Sequence, residues 1–110
     1  MSIFTTLQKT NIPCAYSHFR TGAIPQNPPY AVYLGNGQNS MIADNTMIWR
    51  ENTYQVEYYF AEKNEDNETA FEDVLIEDGW IFDKSEDTYI ESENVFVIYY
   101  QITKGEKGNG

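Results

Sequence analysis

The residues best suited to nucleophilic chemistry are Cys14 and His18, since the sequence holds one cysteine and one histidine. A thiol and an imidazole act together only when they lie within hydrogen-bond distance of each other. Residues 14–19 alternate in polarity as a strand does, which would place both side chains on one face about 13 Å apart. The sequence therefore predicts no Cys/His or Ser/His/Asp active site.

Acidic residues are numerous enough to suggest paired-carboxylate chemistry or a cation site. They fall in a predicted surface helix and in turns, away from the buried aromatic surroundings that raise a carboxyl pKa. Asp83, Glu86 and Asp87 lack the ligand order and central glycine of a calcium loop. Gly35 and Gly37 precede a polar stretch and not a helix, so they offer no phosphate site. We expect no enzymatic activity, catalytic residue, cofactor or metal.

Charge is distributed unevenly along the chain, whose formal net charge is -10. Residues 1–43 contain no acid, whereas residues 62–93 contain thirteen acids and two lysines. A surface built from the second segment repels phosphate, which disfavours nucleic-acid binding. The segment is interpreted as a solvated face, as an electrostatic docking patch, or as a mimic of nucleic-acid charge.

Composition predicts one folded domain. The 110 residues are 41% hydrophobic and 15% aromatic, which is enough to build one core. No apolar run is long enough to cross a bilayer, and no secretory signal is evident. With one cysteine, the chain fits a reducing compartment, so we expect a cytoplasmic origin. The domain is predicted to cover residues 1–103, with a disordered tail at 104–110.

The element pattern predicts an α+β fold, an antiparallel sheet with two helices packed on one face. Ser2 is the expected N-cap of a short helix that ends before Pro13, and residues 64–78 form the clearest helix, closed by Gly79. Strands are predicted in the remaining apolar stretches: 14–19, 30–34, 47–60, 80–82, 88–90 and 95–102. The last three of these are predicted to form an antiparallel meander.

Two features suggest contacts with other protein. Residues 36–46 form a long polar stretch, predicted to be a flexible loop or a functional arm. Residues 50–52 are predicted to be a bulge or a point where the strand leaves the sheet. Five tyrosines lie in predicted strands, where they belong either to the core or to an open, tyrosine-rich sheet face of the kind used in interfaces: Tyr54, Tyr58, Tyr59, Tyr99 and Tyr100.

Five segments follow one another in the order and approximate spacing of a known protein family: 12–16 (IPCAY), 28–35 (PPYAVYLG), 43–46 (ADNT), 54–59 (YQVEYY) and 89–100 (YIESENVFVIYY). The set resembles the small neck and tail-completion proteins of long-tailed phages and prophages of Gram-positive bacteria. These tail-terminator-like proteins are also described as minor capsid proteins.

The resemblance implies a structural virion protein that forms a ring, usually a hexamer, on the end of the tail tube and joins it to the head connector. The implied partners are other copies of the chain, the tail tube protein and a connector or stopper protein, with no specific nucleic acid and no membrane. The implied location is the host cytoplasm during assembly and then the virion neck. A stopper or an adaptor at the same junction remains an open alternative.

Candidate interface residues come from the polar stretch, the strand after it and the tyrosine-rich strands: Asn36, Gln38, Met41, Asp44, Asn45, Trp49, Tyr59 and Tyr99. The alternative function, motivated by the charge of -10, is an acidic phage inhibitor that mimics nucleic acid and blocks a host nuclease or DNA-binding protein. Salt distinguishes the two, because electrostatic mimicry weakens steeply as the salt concentration rises.

Overall fold

The computed structural model describes residues 2–20, 22–25, 27–43 and 46–107, with the backbone alone described for 38–43, 46–50 and 106–107. It has two helices and six strands, which confirms the α+β class. In chain order these are α1 Ile3–Gln8, β1 Cys14–Tyr16, β2 Tyr30–Ala43, β3 Thr46–Phe60, α2 Glu65–Glu77, β4 Ile81–Lys84, β5 Thr88–Ile90 and β6 Val95–Lys107.

The six strands form one sheet in the order β1-β2-β3-β6-β4, with β5 also paired to β6. The sheet is mixed, and the prediction of a purely antiparallel sheet is wrong for one pair. β1 runs parallel to β2, with Cys14 opposite Ala31, because the thirteen residues between the strands return the chain to the end at which β1 began. The other strand pairs are antiparallel.

Both helices have an N-cap of a type that favours helices, and α1 ends at Gln8, before Pro13. Ser2 Oγ accepts a hydrogen bond from the Thr5 backbone N–H at 3.2 Å, and Asn64 Oδ1 accepts one from Asn67 N–H at 3.0 Å. Gly79 follows α2 with φ of 89°, the left-handed conformation that favours glycine at this position. Ser2 is therefore confirmed as the predicted N-cap of α1, and Gly79 as the predicted glycine after α2.

The two helices pack on one face of the sheet, as predicted. The core between them contains Ile3 and Leu7 of α1, Phe71 and Leu75 of α2, and the inward-facing residues of the strands. On β3 and β6 the inward residues alternate regularly: Val56, Tyr58 and Phe60, and Ile98, Tyr100 and Ile102. This alternation sends residues 57, 59, 97 and 99 to the opposite face.

The opposite face is partly covered by the segment between β1 and β2. Tyr30, Val32, Val95 and Val97 are buried, and the ring of Phe19 meets that of Tyr30 edge-on at 5.6 Å. β1 is shorter than the predicted strand 14–19, because Ser17 adopts a positive φ of 66° and turns the chain out of the strand direction.

The polar stretch 36–46 is where sequence and structure differ most. β2 continues to Ala43 and β3 begins at Thr46, so the described part of this stretch is strand and not loop. Asn36 and Gly37 sit opposite the single residue Thr53, and Gly37 absorbs the extra residue at φ of 97°. The bulge predicted at 50–52 is absent, since the β2–β3 register runs without a shift through those residues.

The other strand predictions need two corrections. β4 and β5 both pair with β6, at Tyr100–Thr103 and Val95–Val97 respectively, so these strands are not a simple meander. β6 continues through Lys107, paired with β3, so residues 104–107 are strand and not the disordered tail predicted for 104–110. Residues 108–110 lie outside the described residues.

These extensions divide the molecule into two regions. We call residues 36–43 of β2, 46–52 of β3 and 104–107 of β6 the arm, and the remainder the body. The longest dimension is 52 Å and the radius of gyration is 15.6 Å, whereas a compact chain of this length has about 13 Å. The arm therefore extends the sheet beyond the part that the helices cover.

Candidate protein interface

The groups that could do nucleophilic chemistry are placed apart from one another. Cys14 Sγ lies 3.3 Å from the Ile12 carbonyl oxygen and 3.7 Å from that of Leu7. Burial raises the pKa of this thiol, which disfavours the reactive thiolate. His18 Nδ1 instead contacts Ser17 Oγ at 3.2 Å. The sulfur and the imidazole thus have different partners.

The best-buried acid is part of an ion-pair network beside α2. The side chain of Glu68 is 4% exposed, and its Oε1 lies 2.8 Å from Lys63 Nζ and 3.7 Å from Lys84 Nζ. Lys84 also contacts Glu72 at 2.7 Å, and Glu72 accepts a hydrogen bond from the buried Tyr100 hydroxyl at 2.7 Å. These contacts attach α2 to the sheet, so these carboxylates have structural partners.

A second network joins the two helices. Asp78 accepts hydrogen bonds from Thr6 Oγ1 and Lys9 Nζ, both at 2.8 Å, and these donors hold the pKa of its carboxyl below the usual range. Thr6 in turn accepts a hydrogen bond from the Trp80 indole at 3.2 Å. In the described parts of the chain, no group of three or more His, Cys, Asp or Glu residues could hold a metal ion.

The tyrosines divide between the two faces of the sheet. Tyr58 and Tyr100 are core residues on the helix face, and the half-buried Tyr54 contacts Trp80 edge-on at 5.8 Å. Tyr59 and Tyr99 point to the opposite face. The chain therefore places some of these tyrosines in the core and others on the opposite face of the sheet, which we call the open face.

The open face carries a connected polar cluster on β3. Tyr59 donates a hydrogen bond to Glu57 Oε1 at 2.5 Å, and Gln55 Nε2 donates to Glu57 Oε2 at 2.9 Å. The Tyr59 ring stacks on Tyr30 at 5.0 Å, which fixes the plane of the phenol. Burial, with the Glu57 carboxylate as the second cause, raises the pKa of Tyr59. Tyr99 lies beside this cluster with 37% of its surface exposed.

The predicted interface residues form two groups. Tyr59 and Tyr99 belong to the open face of the body, while Asn36 is exposed at the bulge where the arm begins. Gln38, Met41 and Trp49 lie in the arm strands, with Met41 directly opposite Trp49 in register. Asp44 and Asn45 lie outside the described residues. The structure thus groups the arm positions but separates them from the two tyrosines.

Sequence reasoning missed the free edge of β2. β1 covers β2 only from Ala31 to Tyr33, and no other described strand pairs on that side, so residues 34–43 form an edge ten residues long. These ten residues include no proline and no charged residue. The sequence shows this absence, but it has meaning only for a strand, and the polar residues of this segment predict a loop.

β6 provides a second free edge on the other side of the arm. β4 pairs with β6 only as far as Thr103, so within the described chain residues 104–107 are paired on the β3 side alone. Lys104 is opposite Asn52 and Lys107 is opposite Trp49, which are in turn opposite Gln38 and Met41. Residues 38–41 and 104–107 are therefore the two edges of one three-stranded stretch.

No protein-family model matches this sequence, and no curated protein matches it either. Among the described residues, neither helix has the length and apolar character needed to cross a membrane.

Proposed function

We propose that this chain is a structural protein of the phage neck, a tail terminator that assembles into a ring on the tail tube and joins it to the head connector. The observation that carries the proposal is the arm, a three-stranded extension with a free strand edge on each side. The phage context itself comes from the ordered sequence segments described above.

The β2 edge is built to be paired. Exposed strand edges have unsatisfied N–H and C=O groups, and monomeric proteins protect them with charges, prolines or short strands. Residues 34–43 use none of these three devices, although a glycine bulge interrupts the edge at residues 36–37. An edge of this length and composition is suited to pairing with a strand of another chain.

The charge distribution favours other copies of the chain as the partner. The arm contains two acids and three bases, a net charge of +1, so the excess of acids lies in the body. Two bodies would repel each other strongly on approach, whereas two arms, each with a net charge of +1, repel each other only weakly. Self-association through the arm therefore avoids the electrostatic cost of self-association through the body.

Two different edges also favour a ring. When the β2 edge of one copy pairs with the β6 edge of the next, the contact is head-to-tail, and repetition of such a contact gives a ring if the rotation closes. The open face of the body, with Tyr59 and Tyr99, would then be available to the tail tube or the connector, because neither tyrosine belongs to an arm edge.

The test is the absolute mass in solution, measured by light scattering over a concentration series, alone and with assembled tail tubes of the encoding phage. We expect a ring of defined mass in at least one condition. The double variant Ser40→Lys/Ile42→Lys places two charges on the β2 edge and should remain monomeric in both.

The matched control is Gln8→Lys/Asn27→Lys, which makes the same change in net charge at exposed positions of the body. This control should assemble as the unmodified chain does. A chain that stays monomeric alone and with tail tubes would contradict the proposal, and so would a double edge variant that assembles normally.

A further inference from the structure

A groove on the helix face of the body lies between α2 and the Pro28–Pro29 segment, on the side away from the open face. Two cavities form it, with volumes of about 290 and 340 Å³. They share Pro29, Tyr58 and Asn67, so they are neighbours along one line. Neither belongs to the arm or to the polar cluster on the open face.

Tyr58 lies where the two cavities meet, and it is the unusual residue of the groove. The residue is 3% exposed, and its ring packs against Phe71 at 4.7 Å. Its hydroxyl makes no hydrogen bond to any of the described residues. A buried hydroxyl without a partner is costly, and such groups are rare unless something outside the chain satisfies them.

The neighbouring side chains define the chemistry of the missing partner. Burial raises the pKa of Tyr58, and the nearby Glu68 carboxylate raises it further, so at neutral pH the phenol is a hydrogen-bond donor. It therefore calls for an acceptor such as a carbonyl oxygen. The exposed Asn67 side chain lines both cavities and is able to donate to a second carbonyl.

The two ends of the groove differ in polarity. The end near α1 is lined by Ile12, Ala70 and Val74, which suits an apolar side chain. At the other end the exposed carboxylate of Glu62 has no ion-pair partner among the described residues. The exposed Glu65 and Asp66 begin α2 at the same end. Lys63 also lines this end, but it is paired with Glu68 and Asp87. The charge left at this end is therefore negative, which disfavours an anionic ligand and attracts a cationic one.

The groove also has the length of a short peptide. Its lining on α2 runs from Asn64 to Val74, which spans about 15 Å of helix at ~1.5 Å per residue. An extended chain covers this distance with about four or five residues.

We infer that the groove binds an extended segment of a partner protein, with an apolar side chain at the α1 end and a lysine or arginine at the Glu62 end. The Tyr58 hydroxyl donates to a backbone carbonyl of that segment. This site is separate from the arm, so it goes beyond ring formation and does not depend on it.

The test is an NMR titration of the ¹⁵N-labelled chain with the acetylated and amidated pentapeptide Ala-Leu-Ala-Lys-Ala, and with the version that has Glu in place of Lys. We expect the lysine peptide to shift the amide signals of Asn67, Ala70 and Val74, with a dissociation constant of about 1 mM or tighter. The glutamate peptide should bind at least about threefold more weakly, since its charge is repelled by Glu62.

Two variants isolate the hydroxyl. Tyr58→Phe should weaken the lysine peptide about three- to tenfold, the effect of one hydrogen bond, while thermal stability stays the same or rises because a hydroxyl without an internal partner is removed. Tyr59→Phe, on the opposite face, should leave peptide affinity unchanged. The inference is overturned if neither peptide shifts groove signals, if both peptides bind equally, or if Tyr58→Phe lowers stability without weakening the peptide.

Discussion

The body and the arm are built from the same three central strands, yet their surroundings differ. In the body, Val56 of β3 and Ile102 of β6 have no exposed surface, because α1 and α2 pack over them. Beyond Thr53 the strands continue, but the helices do not follow: α2 ends at Glu77. Lys104 of the arm contacts the body, with its Nζ 2.8 Å from the Asp78 carbonyl oxygen and 5.4 Å from the Trp80 ring centroid.

The difference shows that strand length and strand stability have separate causes here. The body is stabilised by burial of apolar surface on a sheet of four or more strands. Among the described residues, the arm has three strands at its base and two at its tip. A two-stranded ribbon alone is marginally stable in water. A region of this kind is suited to completion by another chain, which is why the proposed ring contact is placed there.

The largest expected difference between the body and the arm is in the rate of amide hydrogen exchange. In the dilute monomer we expect the amides of residues 56–60 and 98–102 to exchange only through global unfolding. The free energy of that opening is about 5–15 kcal/mol. Amides of residues 38–43 should be protected only about tenfold. Exchange measured by mass spectrometry on short peptides resolves the two regions.

Assembly should then protect the arm and leave the body unchanged. The double edge variant Ser40→Lys/Ile42→Lys serves as the control and should show no added protection under assembly conditions. If residues 38–43 are as protected in the dilute monomer as residues 56–60, the arm is stable by itself and the comparison fails.

The next effect concerns the packing of α2, where two neighbouring residues provide a matched pair. Leu75 is fully buried in the core, whereas Ile76 is 56% exposed. Leu75→Ala should lower the free energy of unfolding by about 2–5 kcal/mol because it leaves a cavity. Ile76→Ala should change it by about 0.5 kcal/mol or less.

Chemical denaturation followed by tryptophan fluorescence measures both changes, since Trp80, one of two tryptophans, is 4% exposed in the folded body and becomes exposed on unfolding. Equal losses for the two variants would show that burial against the sheet is not what stabilises α2. The arm strands carry no such helix, so no corresponding pair is expected there.

The body was largely predictable because local signals and packing agree in it. Asn64 and Gly79 bound α2 as capping chemistry requires, and Phe71 and Leu75 sit on one side at helical spacing. Alternation along β3 and β6 correctly separates core residues such as Tyr58 from outward residues such as Tyr59. The parallel pairing of β1 was not predictable in this way, because it depends on the path of residues 17–29 and not on either strand's pattern.

The sequence did not predict the strand structure of the arm or the existence of the groove, and both have physical reasons. Polar residues with two glycines resemble a loop, and only pairing with residues 46–52 turns residues 36–43 into strand. Gln38 and Met41 were predicted in the polar stretch and Trp49 in the strand after it, and the structure pairs the two segments in one arm. The binding site inferred in the groove depends on the Tyr58 hydroxyl, which has no hydrogen-bond partner among the described residues. No sequence pattern encodes the absence of a partner.

The smallest effect expected is the pH dependence from Asp78, where the body meets the base of the arm. Hydrogen bonds from Lys9 and Thr6 lower the pKa of this carboxyl in the folded chain. The unfolded chain therefore binds more protons as the pH falls below about 5, and stability is lost with acidification. Asp78→Asn removes this contribution, so the stability difference between the two chains should shrink from pH 6 to about pH 3.

Asp73→Asn, at an exposed position of α2, is the control. The difference in stability between this variant and the unmodified chain should change little over the same pH range. Thermal unfolding of both variants and the unmodified chain at several pH values measures the two differences. Lys104 donates its hydrogen bond to the backbone carbonyl of residue 78, and its charge is only the smallest cause of the lowered pKa of the carboxyl, so exchange in residues 104–107 should not follow this titration measurably. If it does, the arm is coupled to the helix junction, and the boundary between the two regions lies further along β6 than Thr103.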